Sequence, residues 1–71
     1  MEEVFIDTQL IQLDQLLKWI GVVESGGQVK LLLSDGLIEL NGQVISERRK
    51  KIYPGDTVTV KGIGTWKVAV E

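Results

Sequence analysis

"ESGGQVKLLLSDGLIELNGQV", Glu24 to Val44, changes its hydrophobic period in the middle, and that change decides the fold class. Before Gly36 the apolar residues Val29, Leu32 and Leu33 recur at helical spacing and form one stripe. Ser25 and Gln28 stand ahead of them with the S-x-x-Q spacing of a capping box, in which each side chain satisfies the other's backbone N–H. Gly36 supplies the left-handed residue that ends the helix. Beyond it, "LIEL", Asn41-Gly42 and "QVI" make a strong hairpin signal, because a type I′ turn needs positive φ at both central residues.

Working outward toward the N-terminus, Leu10, Leu13, Leu16, Leu17 and Ile20 fit one face of an earlier helix that ends at Gly21. Two starts are compatible with its sequence. Asp7 or Thr8 could cap it, or it could begin after an extended "LIQL", with Asp14 in the first turn where a carboxylate suits the helix dipole. "VFI", Val4 to Ile6, reads as a short strand. Toward the C-terminus, "YPGD" is a second turn, with Pro54 fixing φ and Gly55 free to take positive φ. "TVTVKG" then alternates with Val58 and Val60 on one face, and "TWKVAV" gives a last strand. Two tandem helices followed by a strand-rich half indicate an α+β domain. With 71 residues and 44% hydrophobic composition, residues 1–71 make one domain near the lower size limit for an unaided core.

Composition excludes several function classes. The chain has neither Cys nor His, which removes thiolate chemistry, sulfur-based zinc sites, and the commonest general base and metal ligand. No catalytic residues, cofactor, metal or small-molecule substrate are assigned, and an independent enzyme is not expected. Asp14, Asp35 and Asp56 stand beside helix or turn signals, where capping accounts for them. The start "MEEVFID" is acidic where a signal peptide needs positive charge, and no apolar run approaches a membrane span, so a cytoplasmic protein with no membrane contact is expected. Trp19, Trp66, Tyr53 and Phe5 are expected to pack in the core or cover its edge, which argues against base stacking.

Charge distribution is more informative than the net charge of −2. Residues 1–24 hold five acids, Glu2, Glu3, Asp7, Asp14 and Glu24, against Lys18 alone. Between Gln28 and Lys51 the balance reverses, with Lys30, Arg48, Arg49, Lys50 and Lys51 against Asp35, Glu39 and Glu47. Four consecutive cations repel one another and exceed what solubility asks of a small domain, whereas phosphate binding accounts for the cluster because counterion release rewards contacts made together. Gly26 and Gly27 leave the amides of the second helix open to a phosphate, with Lys30 one turn further along. The candidate binding residues are therefore Ser25, Gly26, Gly27, Gln28, Lys30, Arg48, Arg49, Lys50 and Lys51.

Taken together, "LDQLLKWIGVVESGGQVKLLLSDGLIELNGQVISERRKKIYPGDTVTV", with a motif core over 13–60, resembles the alpha-L RNA-binding domain named after the small-subunit ribosomal protein S-four. Leu13-Asp14, Leu17, Gly21, Ser25, the "GLIELNG" hairpin and Gly55-Asp56 follow the family order and spacing. "SGGQVK" is most similar to small stand-alone bacterial members that carry "SGGQAK" or "SGAQAK". Gly26 stands at the family's arginine position and Val29 at its alanine position, so the usual arginine contact is absent, while Lys30 and Arg48 to Lys51 match basic positions.

The resemblance implies two short antiparallel helices on a small curved, mainly antiparallel sheet. It also implies structured RNA held across a basic ridge formed by the second helix and the 46–51 loop, in a non-catalytic binding or assembly role, with ribosomal RNA or the ribosomal subunit as a candidate partner. Two alternatives stay open. The region from Ile38 also resembles a β-grasp sulfur carrier, although "VAVE" does not supply the terminal Gly-Gly which that chemistry uses. A protein-interaction module could instead bring the basic loop to an acidic partner.

Overall fold

The computed structural model describes residues 1–71. Its elements run β1 (Glu2–Ile6), β2 (Ile11–Gln12), α1 (Leu13–Ile20), α2 (Gly26–Ser34), β3 (Ile38–Leu40), β4 (Gln43–Val44), β5 (Lys51–Ile52), β6 (Thr57–Val60) and β7 (Gly64–Val70). Five strands form one sheet in the order β1-β7-β6-β3-β4. All its pairings are antiparallel except β1 with β7, which run parallel from Glu2↔Trp66 to Ile6↔Val70. The sheet is thus mainly antiparallel but mixed, and β2 and β5 form a separate antiparallel pair.

Each element follows from its local chemistry. Leu13, Leu16 and Leu17 give α1 an apolar face that is fully buried. Gly21, at φ 87°, closes the helix by returning its N–H to the carbonyls of Leu17 and Lys18. Val29 is the fully buried anchor of α2, with Leu32 and Leu33 half-buried beside it. Asn41 at φ 52° and Gly42 at φ 87° form the two-residue turn between β3 and β4, the conformation their sequence calls for. These side chains meet Val4, Ile6, Val23, Ile38, Ile52, Val58, Val60, Trp66 and Val68 in a single core that contains no buried polar side chain.

The aromatic residues follow expectation at Trp66 and depart from it most at Trp19. Trp66 packs in the core and its indole N–H donates to Glu2 Oε2 at 3.0 Å. Trp19 is 69% exposed, while Phe5 and Tyr53 lie about half in solvent, at 49% and 48%. Position 19 sits roughly 100° around the helix from the centre of the Leu13–Leu16–Leu17–Ile20 stripe, so its indole stands at the flank of α1.

Candidate functional site

The start of α1 explains how the basic run is held. Its N-cap, Gln12, has extended backbone and makes no side-chain capping bond, so the helix begins after the extended segment and not at Asp7 or Thr8. The first amides of α1 are satisfied from a distant segment: Leu13 N–H donates to the Lys50 carbonyl at 2.8 Å and Asp14 N–H to the Arg48 carbonyl at 3.1 Å. Alongside, β2 pairs with β5 through Ile11↔Ile52 and Gln12↔Lys51, and Ile52 is fully buried. The backbone of residues 48–52 is thereby fastened to α1, and the charged side chains have no part in the fastening. Arg48, Arg49 and Lys51 are exposed and Lys50 is half-buried.

The four cations divide between two open grooves. Arg48 lines the first, of about 420 Å³, with Lys30, Leu33 and Ser34 of α2 and with Ser46. Gly26, Lys30 and Ser34 follow one another at four-residue intervals, so they share one face of α2. Arg48 lies over this face, with Nη1 3.7 Å from the place a Cβ on Gly26 would occupy. The Arg48 guanidinium thus stands beside position 26. Arg49, Lys50 and Lys51 line the second groove, of about 470 Å³, with Leu40, Asn41 and Tyr53 among its other walls.

At the head of α2, Ser25 and Gln28 take the capping-box arrangement. The hydrogen bonds it makes come from its Gln28 half, where Oε1 accepts from Ser25 N–H at 3.3 Å and from Glu24 N–H. A Cβ on Gly27 would meet only Ser25 Oγ, at 3.8 Å, and nothing from α1. Close packing between the helices is thus not what this glycine serves, and the first turn of α2 faces solvent at Gly27 and Gln28.

No close ion pair holds the cations of this surface, although Glu47 and Asp56 line the second groove with three of them. The one ion pair of the chain joins Lys61 Nζ to Glu39 Oε2 at 3.4 Å, leaving Lys30 and residues 48–51 without an acidic partner. Asp56, in the wall of the second groove, is hydrogen-bonded to its neighbours there: Oδ2 accepts from Tyr53 N–H at 2.8 Å and Oδ1 from Asn41 Nδ2 at 3.1 Å. No three acidic side chains converge as ligands for a metal ion, and no helix is long and apolar enough to cross a membrane. Two contributors carry no signal in local sequence, namely the Arg48 and Lys50 carbonyls, whose role depends on a segment some three dozen residues away.

Comparison with known proteins gives concordant matches. A family model described as "S4 domain" matches residues 4–69. A Bacillus subtilis (strain 168) protein named "Probable ribosome maturation protein RlbA" is 40% identical over 63 residues, covering 89% of this chain and 89% of that one. An Escherichia coli (strain K12) protein named "Putative RNA-binding protein YbcJ" is 37% identical over 59 residues, covering 83% of this chain and 84% of its own.

Proposed function

The chain belongs to the S4 domain family, and from that premise we propose that it is a single-domain, non-catalytic protein that binds structured RNA. The observation that carries the reading is Arg48 meeting Lys30 in one groove although they come from different elements, with Arg49, Lys50 and Lys51 continuing the positive surface in the next. A-form RNA offers a narrow major groove lined by phosphates and a wide minor groove edged by 2′-hydroxyls. A compact basic surface can engage that shape without reading sequence. The open amides at the head of α2, with Gly26 and Gly27 keeping them accessible and Ser25 and Gln28 fixing the turn, add a place for one phosphate.

The names of the relatives, one a ribosome maturation protein and one an RNA-binding protein, support ribosomal RNA in the cytoplasm as the first target to test. The sulfur-carrier alternative gains no support from the family match.

The test is a salt titration of binding to ribosomal RNA hairpins. Four or five phosphate contacts give a slope of log K against log salt of about −3 to −4.5. Duplex DNA of equal length should bind less well, because its grooves differ in width and depth. Tight binding with a flat salt response contradicts the reading, as does equal affinity for the DNA.

A further inference from the structure

The second groove holds an aromatic ring that the phosphate contacts do not use. Tyr53 is 48% exposed, yet both its backbone N–H and its carbonyl are hydrogen-bonded to Asp56. Its N–H donates to Asp56 Oδ2 at 2.8 Å, its carbonyl accepts from Asp56 N–H at 3.0 Å, and it lies between buried Ile52 of β5 and Pro54. The ring is thus presented to solvent from a rigid turn, so little backbone entropy is lost when something packs on it. Leu40 adds a half-buried apolar patch, and Arg49, Lys50 and Lys51 supply positive charge around it. At about 470 Å³ the groove has the size of a small-ligand site.

The polar groups best suited to read a base edge are already spent. Asn41 Oδ1 accepts from Thr57 N–H at 2.9 Å, and Asn41 Nδ2 donates to Asp56 Oδ1 at 3.1 Å. Both carboxylate oxygens of Asp56 are likewise engaged. What remains free is an aromatic face and three cations, set against the two carboxylates of Glu47 and Asp56. That combination is complementary to a base with its flanking phosphates, and stacking on the ring holds any of the four bases because each has a π-face.

Building on the RNA-binding reading above, we infer that this groove takes one unpaired nucleotide of the RNA, with its base stacked on Tyr53 and its flanking phosphates on Arg49, Lys50 and Lys51. The target is then bipartite: a helical stretch lies along the Lys30–Arg48 groove and a bulged or looped nucleotide enters beside the Asn41–Gly42 turn. Discrimination is between unpaired and paired nucleotides, not between base identities.

The experiment compares a fully paired RNA hairpin with the same hairpin carrying a one-nucleotide bulge. The parent protein should prefer the bulged RNA by about 5- to 150-fold, the equivalent of one stacked base. Tyr53→Leu should lose that preference while keeping the parent's affinity for the paired hairpin, and Tyr53→Phe should retain it. Changing the bulged base among the four nucleotides should alter affinity by far less than removing the bulge. A thiouridine placed at the bulge should crosslink to the peptide that carries Tyr53, a readout that needs no variant. Stacking is overturned if the parent binds both hairpins equally, if Tyr53→Leu keeps the bulge preference, if Tyr53→Phe loses it, or if crosslinks fall only on other peptides, and in each of these cases RNA binding itself stands. Failure of the parent to bind either hairpin overturns the RNA-binding reading together with this one.

Discussion

Replacing Gly27 with Leu separates stability from binding on a single residue. Gly27 is the second residue of α2, exposed, and does not take positive φ. A Cβ there meets Ser25 Oγ at 3.8 Å, an ordinary van der Waals distance, and no atom of α1. Overpacking therefore costs nothing at the Cβ, and the change removes a glycine whose unfolded chain is the more disordered. The expected gain is about 0.4–1 kcal/mol. For a domain of this size it corresponds to a rise in Tm of about 2–8 °C. The isobutyl group would at the same time stand over the open amides of the first turn. Loss of one charge-assisted phosphate contact costs about 1.5–3 kcal/mol, or about 10- to 150-fold in Kd. Thermal unfolding followed by circular dichroism, with fluorescence anisotropy of a labelled ribosomal RNA hairpin, measures both quantities on the same protein. A higher Tm with undiminished RNA affinity refutes the phosphate contact at α2, and a lower Tm refutes the spatial argument on which the choice of residue rests.

Arg48→Ala combined with Arg49→Ala should leave stability within about 0.5 kcal/mol, since the backbone carbonyls and not the guanidinium groups cap α1. RNA affinity should fall by at least about tenfold, and unfolding of the double variant would show the side chains to be structural. Asn41→Ala should cost about 1–3 kcal/mol in urea denaturation, because alanine is strained at φ 52° and the bonds to Thr57 and Asp56 are lost; Asn41→Gly, which tolerates that φ, should cost less. Acrylamide should quench Trp19 readily and Trp66 poorly, so that Trp19→Phe leaves only protected emission. Uniform quenching of both indoles would contradict the exposed placement of Trp19.

Local backbone chemistry made much of this fold legible. Asn41-Gly42 specifies its turn because few residues accept positive φ twice in succession, and the Pro54-Gly55 turn and the Gly21 stop follow from the same restriction. The helical stripe of α1 and the alternation of Val58 and Val60 are readable because a side chain's burial repeats with the element's own period. The candidate cations were visible as well, since clustering of like charge is a property of the sequence alone.

Their arrangement was not visible. Sequence does not reveal that β1 pairs in parallel with β7, that Gln12 lies opposite Lys51, or that carbonyls of the basic run cap a helix formed much earlier in the chain. Those contacts join segments far apart along the chain, and no local period reports which distant partner will satisfy an amide. For the same reason a run of four charges that looks like one patch is divided, with Arg48 placed beside Lys30 and Gly26 and the other three set around Tyr53. Residue types and local turns determined which groups could meet an anion. Only the packing of α1 against the 48–52 segment decided which of them face the same groove.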